Sequence, residues 1–501
     1  MNLEMFKAFD IRTREELLGD DEARRLMDAI AYYLENVIGC SSIVLGRDAR
    51  LGVPRLMQMA CDVLPMYGID VILNPLQIST CQFYFSCMQN PHSAGIMFTA
   101  SHNPGCYIGL KIMVPRMIPL SMENGPMGGI SGLRQLFIEG RKPAITSKRG
   151  KIIVHRYLDQ YLSYSLGLAD IGKDSLFGLN LCMDFLSGAA GTEVMEAFSY
   201  AGVRIDAQNL VPDGRFPKGD PNPIVVSSIQ PTWNLIRNGS YDFGLAFDGD
   251  GDRMDFITGR GEQLAPSFNF AIILPHLVKL FSPLFPRCSV YSDVKVNPLA
   301  QAIQARYADV GIIRNGHSFI KEALREKANQ GFLAACEESA HYYLNFPYDL
   351  NDFSKGLASA ENTLFFALLT AKAFTEAPKE YEKAMEIQGR TFRAREWPVQ
   401  FKSDELMEQA LKAVRTACVG EGMNAMENTP DGRSLDSTLM RKGIPAMIFK
   451  DTDFSGDWIQ IVQRISRSED KIARWEVTGS SPDGVEEART KICSILQEYL
   501  K

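Results

Sequence analysis

The residues best suited to carry chemistry lie in a tight loop around Ser101. An apolar run at 94–98 has the length of a buried strand and ends at Thr99. Turn-forming residues follow, Ser101-His102-Asn103-Pro104-Gly105, and proline disfavours helical geometry at the residue before it. A hydroxyl, an imidazole and a carboxamide therefore share one loop at the end of a strand, where reactive side chains are commonly held. A polar turn with a capping serine explains this loop equally well.

A second group of polar residues follows another apolar run, in the segment FGLAFDGDGDR at 243–253. Asp248, Asp250 and Asp252 alternate with glycines, and carboxylates this close together are too costly to bury without neutralisation. Glycine lets the backbone turn so that all three point at one place, which suits a hard cation such as Mg²⁺. An acidic surface turn is the alternative. An EF-hand is excluded, because its sixth and twelfth positions lack the required glycine and glutamate.

Four motifs, taken in order, are similar to those of one enzyme family. They are the Ser101 loop, the loop 248–253, the segment 336–341 and the segment 464–469. In these motifs the chain resembles the α-D-phosphohexomutases, which include phosphoglucomutases and phosphomannomutases. The first two motifs are specific, whereas the last two are degenerate and count through their order and spacing. Together they cover nearly the whole chain.

The resemblance implies an isomerase that interconverts hexose 1-phosphate and hexose 6-phosphate, with glucose or mannose as the sugar. Ser101 would carry a phosphoryl group, and Ser101, Asp248, Asp250 and Asp252 would hold one Mg²⁺ ion. Phosphoryl transfer depends mainly on positioning and charge neutralisation, which such groups supply. A hexose 1,6-bisphosphate would be the bound intermediate and activator, which reorients and returns its other phosphate to Ser101.

Such a cycle needs a fixed phosphate site away from Ser101, and a loop directly after a C-terminal strand offers one. Arg464, Ser466 and Ser468 supply a guanidinium and two hydroxyls there, and arginine matches the geometry of phosphate. An exposed basic turn is the alternative interpretation of this loop.

Three further cations are candidates for contact with phosphate or substrate. Arg12 and Arg50 lie in loops after predicted strands, and Lys295 ends the predicted strand 289–294. For each of them, an ordinary surface charge is the alternative.

The segment around Glu337 provides the groups expected to bind the sugar. By resemblance, Glu337 and Ser339 read sugar hydroxyls, with His341 as a third contact. If they bind O3 and O4, as in relatives, both glucose and mannose would be accepted, because these sugars differ at C2. The expected substrate is therefore a phosphosugar, and the identity of the hexose is not determined by these residues.

Two residues match the family's candidates for proton transfer. Lys111 lies where relatives carry the lysine of an Asn-Gly-x-Lys element, and a nearby Mg²⁺ and Arg253 are expected to lower its pKa. His317 either binds phosphate or shuttles a proton, although a lone histidine is more often structural. His102 is expected to shape its loop, and Arg253 to balance the aspartates and contact substrate.

Several positions depart from the family pattern. Glycine is usual where this chain has Cys336 and Ala340, and methionine is frequent where it has Glu338. None of the departures removes a catalytic group, but together they leave the sugar preference open. The remaining departures are Thr13, Ile108, Arg467 and Asp470.

The bulk composition excludes some classes of protein. The chain has 501 residues, a net charge of −7 and a pI near 5.6, so no basic stripe is available for nucleic acid. Ten scattered cysteines without a C-x-x-C pair favour reduced thiols and a cytoplasmic location. Neither a signal peptide nor a membrane span is expected from the sequence. The oligomeric state, monomer or dimer, stays open.

Strands alternate with amphipathic helices along most of the chain. This predicts an α/β fold of three tandem three-layer α/β/α domains, followed by a smaller α+β C-terminal domain, around a central cleft. In the C-terminal part, a strand is predicted at Ala446–Phe449. The predicted domain boundaries are 1–148, 149–257, 258–375 and 376–501.

Two other functions are consistent with the same residues. A Mg²⁺-dependent phosphohydrolase would lose the phosphoryl group to water rather than to a sugar. A non-catalytic relative would only bind sugar phosphates, although the intact Ser101 and aspartates count against this alternative. Release of free phosphate from a sugar phosphate would distinguish the hydrolase from the mutase.

Overall fold

The computed structural model describes residues 1–122, 124–466 and 470–500. The fold is mixed α/β, as the alternation predicted. By internal packing the chain divides into two compact units. The larger unit comprises 1–263, 321–328 and 339–376, and the smaller one comprises 264–320, 329–338 and 377–501. The finer division into four domains stays a prediction. Among the described residues, no helix combines the length and apolarity needed to cross a membrane.

The helices and strands of the described residues are numbered here in chain order. The helices are α1 (Asp20–Tyr32), α2 (Val53–Val63), α3 (Thr80–Met88), α4 (Ile130–Glu139), α5 (Leu158–Leu168), α6 (Gly191–Tyr200), α7 (Val226–Asn238), α8 (Pro266–Phe281), α9 (Pro298–Gln304), α10 (His317–Lys327), α11 (Thr363–Glu376), α12 (Pro378–Gln388), α13 (Asp404–Gly420) and α14 (Pro482–Leu496). The strands are β1 (Ile11–Arg14), β2 (Ser42–Arg47), β3 (Asp70–Gln77), β4 (Ala94–Phe98), β5 (Tyr107–Val114), β6 (Ile118–Pro119), β7 (Ile152–Val154), β8 (Asn180–Asp184), β9 (Arg204–Gln208), β10 (Phe243–Phe247), β11 (Met254–Thr258), β12 (Gln263–Leu264), β13 (Ser289–Asp293), β14 (Asp309–Ile313), β15 (Phe332–Cys336), β16 (Tyr342–Pro347), β17 (Leu357–Glu361), β18 (Phe392–Gln400), β19 (Asn424–Asn428), β20 (Ser434–Lys442), β21 (Ile459–Ile465) and β22 (Ile472–Gly479).

The first sheet has the order β1-β5-β4-β2-β3-β7, with β6 beside β5. Strands β4, β2, β3 and β7 run parallel, whereas β5 is antiparallel to both β4 and β1. Every residue of β4 is buried, as expected for a central strand covered on both faces. Because β4 and β5 are adjacent and antiparallel, the loop between them, which carries Ser101, is tied to the sheet at both ends.

The second sheet has the order β12-β11-β10-β8-β9. Strand β10 is parallel to β8 and antiparallel to β11, so the three-aspartate segment is the turn of a hairpin. All five residues of β10 are buried, and the Phe185 and Phe247 rings stack with centroids 5.3 Å apart. The larger unit also contains the antiparallel pair β16 and β17.

In the smaller unit, β13 pairs in parallel with β14 and with β15. A separate antiparallel sheet has the order β18-β22-β21-β20-β19. Helices α13 and α14 cover this sheet around a core that includes Met407, Val414, Trp475 and Ile492. This part matches the predicted smaller α+β arrangement.

The predicted strand at Ala446–Phe449 is wrong. These residues form no strand, because Pro445 precedes them and lacks the N–H that a sheet ladder requires. Their apolar character has another cause, since Ile448 packs into a small core with Ile444 and Trp458.

Candidate active site

The Ser101 loop holds its central residue in an unusual backbone conformation. Ser101 has a φ of 52°, a left-handed conformation that costs a non-glycine residue about 1–2 kcal/mol. Its backbone N–H donates to the Thr99 hydroxyl at 2.9 Å, and its side chain is 4% exposed. Such strain persists where the surroundings fix it, which is frequent at functional sites.

Arg50 holds the backbone of this loop in place through hydrogen bonds to its carbonyl groups. It is fully buried and forms an ion pair with Asp48. Its guanidinium also donates to four loop carbonyls, at 2.7 Å to Ser101 and 2.6 Å to Asn103, with the others on Pro104 and Tyr107. Both earlier interpretations of Arg50, surface charge and phosphate contact, are therefore wrong. Arg50 is a positioning residue.

Replacing Arg50 with lysine is expected to lower kcat about 10–100-fold and to destabilise the protein by about 2–4 kcal/mol. Lysine keeps the positive charge beside Asp48, but a single ammonium cannot reach all the carbonyls that the planar guanidinium reaches. Steady-state kinetics and urea unfolding measure the two effects. Arg149→Lys, at an exposed position, is the control and should change neither. An unchanged kcat in Arg50→Lys would contradict the positioning role.

The metal loop, defined here as Asp248–Arg253, connects β10 to β11. Its glycines have distinct structural roles. Gly251 has a φ of +71°, and a Cβ there would lie 2.8 Å from the Cβ of Ala190. A Cβ on Gly249 would lie 2.8 Å from the carbonyl oxygen of Ser101. The glycine at 249 therefore lets the metal loop pack directly against the Ser101 loop.

Asp248 joins the two loops. Its Oδ1 accepts hydrogen bonds from the backbone N–H groups of Asp252, at 3.0 Å, and Arg253, at 3.1 Å. Its Oδ2 lies 3.4 Å from the Ser101 Oγ and 3.6 Å from the Arg253 Nε. The serine hydroxyl and the acidic turn, which are far apart in sequence, are therefore adjacent within the larger unit.

Lys111 lies between the other two aspartates. Its Nζ is 2.7 Å from the Asp250 Oδ2 and 2.5 Å from the Asp252 Oδ2. Burial alone would lower the pKa of Lys111, but the two carboxylates outweigh it and raise that pKa. The predicted direction, a lowered pKa, is wrong for this arrangement, because the prediction considered Arg253 and a metal ion but not direct ion pairs with the aspartates.

The donor set of the metal loop fits a hard divalent cation. The three carboxylates offer oxygens that lie within 4.8 Å of one another. The Oδ1 atoms of Asp250 and Asp252 are buried without a hydrogen-bond partner among the described residues. Buried carboxylate oxygens without partners are costly, and coordination of a cation such as Mg²⁺ would satisfy them.

Arg253, the last residue of the metal loop, contacts His341. The Arg253 Nε donates to the His341 Nε2 at 3.1 Å, and the His341 Nδ1 lies 3.6 Å from the Asp252 Oδ1. His341 was predicted to contact the sugar, and the structure places it against the metal loop. His102 lies on the other side, with its Nδ1 3.2 Å from the Ser101 Oγ. Burial and then Arg253 lower the pKa of His102 well below its usual value, so this imidazole is neutral at pH 7.

Helix α3 supports the metal loop from its N-terminus. The Thr80 hydroxyl donates to the Asp250 Oδ2 at 2.7 Å, and the Thr80 N–H donates to the Asp250 carbonyl at 2.7 Å. The N-cap residue Ser79 accepts from the N–H of Gln82 and donates to the buried Glu193 at 2.5 Å. Burial raises the pKa of Glu193 to about 8.

The stability of the protein is expected to fall between pH 5 and pH 8, partly because of Glu193. Its pKa rises from 4.5 to about 8 on folding, so in this window the unfolded chain releases a proton that the folded chain keeps. The free energy of unfolding therefore decreases as the pH rises. Urea unfolding at both pH values measures it.

Glu193→Gln should lessen this pH dependence by an amount on the order of 1–3 kcal/mol. Glu196→Gln, on the exposed side of the same helix, should leave it as in the wild type. Equal pH dependence in the wild type and Glu193→Gln would contradict the raised pKa.

Arg12 contacts the Ser101 loop through an asparagine. Its Nη1 donates to the Asn103 Oδ1 at 2.6 Å, and its Nη2 pairs with Asp10. The Arg12 Nε is buried without a hydrogen-bond partner among the described residues. The Nε–H of Arg12, close to the Ser101 loop, is therefore available to donate a hydrogen bond to a ligand.

The smaller unit holds the candidate phosphate-binding cations. Arg464 is engaged by Glu396 through two hydrogen bonds, of 3.0 Å from Nε and 2.8 Å from Nη2. Lys295 and Arg474 lie 3.8 Å and 3.4 Å from the same carboxylate. Burial opposes ionisation of Glu396, but the three cations lower its pKa to about 2. Ser466, two residues after Arg464, is buried, and the predicted contact Ser468 lies outside the described residues.

Glu337 is also in the smaller unit. Its Oε1 accepts from the backbone N–H of Gly316 at 3.0 Å and from the Asn315 amide at 3.3 Å. His317 begins α10 directly after this glycine and lies 3.5 Å from the Ser318 hydroxyl. The neighbouring Glu338 points elsewhere, with Arg393 at 3.8 Å and the Asn297 N–H at 3.3 Å, and no role had been assigned to it.

Two positions of the sugar motif belong to the larger unit. Ser339 is half-buried. Ala340 is fully buried and has a φ of 70°, so the residue that replaces the usual glycine adopts a conformation that favours glycine. The carbonyl of Ala340 accepts from the Met254 N–H at 3.0 Å, which joins the sugar motif to the metal loop.

Several groups of the site were not predicted from the sequence. Lys321 and Glu361 form a fully buried ion pair at 3.0 Å, with the Tyr84 hydroxyl 2.9 Å from the lysine. Glu361 lies 3.9 Å from His341, and burial raises its pKa to about 7 although the charge of Lys321 acts in the opposite direction. A lysine or glutamate in an ordinary amphipathic segment gives no sequence signal of such burial.

Comparisons with known proteins give the same family from several directions. Residues 3–125 and 155–261 match the family descriptions "Phosphoglucomutase/phosphomannomutase, alpha/beta/alpha domain I" and "domain II". A phosphomannomutase of Escherichia coli is 30% identical over 355 residues, which are 69% of this chain and 74% of that protein. A phosphoglucomutase of Neisseria gonorrhoeae is 28% identical over 350 residues, 68% of this chain and 70% of that protein.

A solved structure shows the same fold over the full length. A phosphoglucomutase/phosphomannomutase family protein from Burkholderia thailandensis has a TM-score of 0.75 at 20% identity, covering 100% of this chain and 98% of that one. The two curated relatives and the matched family descriptions define the class of enzyme as an intramolecular phosphotransferase acting on hexose phosphates. The chain belongs to the phosphoglucomutase/phosphomannomutase family.

Proposed function

We propose that this mutase moves a phosphoryl group between O1 and O6 of a hexose, with Ser101 as the carrier. The observation that supports it most is the position of the Ser101 Oγ, 3.4 Å from Asp248 in a buried loop held by Arg50. A hydroxyl fixed beside three carboxylates suits phosphoryl transfer, which needs positioning and charge neutralisation more than covalent activation.

In the first half-reaction, a hexose hydroxyl oxygen attacks phosphorus on phospho-Ser101, and the bond from phosphorus to Oγ breaks. The proton of the attacking hydroxyl passes to His317 or to the neutral His102. Lys111, which its two aspartate partners keep protonated, is the proposed acid that gives a proton to the departing Ser101 oxygen. In the second half-reaction, the Ser101 oxygen attacks the other phosphorus of the resulting hexose 1,6-bisphosphate, and the bond from that phosphorus to the sugar oxygen breaks. The serine proton returns to the group that supplied it, and the released sugar oxygen takes back the proton removed in the first half-reaction. The product then carries its phosphate at the opposite end of the sugar.

One Mg²⁺ ion, held by Asp248, Asp250, Asp252 and the Ser101 oxygen, would neutralise charge on the transferring phosphoryl group. Arg253 would add a positive charge at the same place. The two carboxylate oxygens without partners support this proposal, as does the match of oxygen donors to a hard cation.

For the distal phosphate we propose Lys295, Arg464, Ser466 and Ser468. Arg12, which contacts the Ser101 loop, is proposed separately as a substrate contact. Around Glu396, three cations face one carboxylate, so a phosphate dianion would balance the excess positive charge. Arg464 must then exchange, at least in part, its bidentate contact with Glu396 for the phosphate.

For the sugar we propose Glu337, Ser339 and His341. Glu337 already has a backbone N–H and an amide on one oxygen, which fixes its orientation, and a carboxylate is a suitable acceptor for sugar hydroxyls. Contacts to O3 and O4 would not distinguish epimers at C2, so we propose that both glucose and mannose phosphates are substrates.

A panel of sugar 1-phosphates tests this function. Glucose, mannose, glucosamine and N-acetylglucosamine 1-phosphates are incubated with enzyme, Mg²⁺ and a trace of glucose 1,6-bisphosphate, and the products are followed by phosphorus NMR. Conversion of glucose and mannose 1-phosphates to the 6-phosphates is expected. Release of inorganic phosphate in place of the isomer would instead identify a phosphohydrolase.

A further inference from the structure

The larger unit contains a cleft that includes no residue of the Ser101 loop or the metal loop. Its volume is about 1280 Å³, above the range of about 300–1,000 Å³ that is usual for small-molecule sites. The walls come from the C-terminal end of α3, from α5 and from the segment 348–357. Phe85, Met88 and Tyr164 provide an apolar floor.

Cations predominate at the rim of this cleft. Arg116, Arg325 and Lys355 line the cleft together with two carboxylates, Asp159 and Asp349. Lys355 is already paired with Asp349 at 2.6 Å. Within the part of the chain that the structure describes, no ion pair involves Arg116 or Arg325. The two arginines therefore leave the rim with an excess of positive charge.

The Tyr348 side chain adds a polar group without a partner. Its hydroxyl is buried and has no hydrogen-bond partner among the described residues, and the side chain lines the cleft. Burial raises the pKa of Tyr348 to about 12, with Arg116 acting in the opposite direction. The hydroxyl is therefore a protonated donor near an arginine, and a buried polar atom in this state is costly unless something binds it.

The backbone that presents Arg116 is itself constrained. Arg116 and Met117 have φ values of 65° and 60°, a left-handed conformation that is costly for non-glycine residues. The Arg116 N–H donates to the Pro91 carbonyl at 2.8 Å, and the Met117 side chain is buried. This turn keeps Arg116 exposed at the rim while its neighbour is anchored in the core.

We propose that this cleft binds an organic phosphate with an apolar ring, the chemical class to which nucleoside monophosphates belong. The phosphate would contact Arg116 and Arg325, which form charge-assisted hydrogen bonds to phosphate oxygens. The ring would lie on Phe85, Met88 and Tyr164, and the Tyr348 hydroxyl would donate to a polar atom of the ligand. This site is independent of the proposed reaction.

The cleft and the metal loop lie at opposite ends of α3. Thr80, at the first turn, bonds to Asp250, whereas Phe85 and Met88, toward the last turn, line the cleft. Eight residue steps of α-helix span about 12 Å. A ligand in the cleft is therefore too far away to share the carboxylates of the metal loop.

A fluorescent anion tests the proposal directly. The probe 8-anilinonaphthalene-1-sulfonate, which combines an apolar ring system with one anionic group, is titrated into the full chain with saturating glucose 6-phosphate and Mg²⁺. One saturable site per chain is expected. Adenosine monophosphate should displace the probe at a concentration at least about tenfold below that needed with inorganic phosphate, because the ring adds apolar burial.

The variant Arg116→Ala/Arg325→Ala should bind the probe with an affinity at least about tenfold lower than that of the wild type. Arg149→Ala/Arg260→Ala, which also removes two exposed arginines of the larger unit, should bind it like the wild type. Tyr348→Phe provides a second variant, which removes only the hydroxyl. It should lower the affinity for adenosine monophosphate a few-fold. Thermal unfolding checks that each variant is folded.

Three results would overturn the proposal. The first is equal affinity of the probe for the wild type and the Arg116/Arg325 variant. The second is the same loss of binding in the Arg149/Arg260 control. The third is displacement by inorganic phosphate as effective as that by adenosine monophosphate, which would mean that the apolar floor contributes nothing.

Discussion

Ser101→Ala is expected to lower turnover of hexose 1-phosphate by roughly 10⁴-fold or more while the protein stays folded, because removal of a nucleophile abolishes covalent transfer. The hydroxyl has few structural duties: its contacts are His102 at 3.2 Å and Asp248 at 3.4 Å. The loop is held through the backbone of Ser101 by Thr99 and Arg50, and alanine keeps those bonds. Coupled-enzyme assays measure turnover, and urea unfolding measures stability.

Ser240→Ala is the matched control, since Ser240 is an exposed serine of the same unit, and it should retain full activity. Substrate binding should survive in Ser101→Ala, because the proposed phosphate and sugar contacts are on other residues. Turnover within a few-fold of the wild type in Ser101→Ala would rule out this serine as the phosphoryl carrier.

Removal of the metal should produce the second large effect. Treatment with EDTA is expected to abolish activity, and excess Mg²⁺ to restore it. Asp250→Asn should raise the Mg²⁺ concentration for half-maximal activity about a hundredfold or more, because it removes a charged oxygen donor. Measurement of activity against Mg²⁺ concentration gives this value.

The exposed Asp220 supplies the control variant Asp220→Asn, for which the Mg²⁺ dependence should match the wild type. Asp250→Asn also removes a partner of Lys111, so binding of Mg²⁺ is measured separately by calorimetry. Full activity in EDTA, or an unaltered Mg²⁺ dependence in Asp250→Asn, would exclude a metal role for the triple-aspartate turn.

Local patterns were enough to predict the strands that carry the site. The buried run Ala94–Phe98 was predicted with the bounds that β4 has, and the apolar run before Asp248 is β10. Both are short, wholly buried strands followed at once by turn formers, which is a strong local signal. The strand predicted at Ala446–Phe449 lacked this support, because proline precedes it and the apolar residues pack outside a sheet.

Long-range partners were not predictable from local patterns. The local sequence predicts only that Arg50 lies in a loop. No residue near it in the sequence indicates that the Ser101 loop folds over its guanidinium. Lys111 pairs with two aspartates that lie 139 and 141 residues later in the chain. This pairing depends on how the first and second sheets pack against each other. The contact between Arg464 and Glu396 is equally non-local, at a separation of 68 residues. Such pairs determine the charges and pKa values of the site, which therefore depend on the three-dimensional fold and not on local sequence.

The most direct measurement is the chemical fate of Ser101 during turnover. Enzyme is incubated with Mg²⁺ and radiolabelled glucose 1,6-bisphosphate, and the phosphorylated residue of the enzyme is mapped by mass spectrometry. Unlabelled glucose 6-phosphate is then added to the labelled enzyme. The predicted result is one phosphoryl group per chain, on Ser101, whose label passes into the sugar phosphates. Label on a different residue, no covalent label, or transfer of the label only to water would contradict the assignment of Ser101 as the carrier.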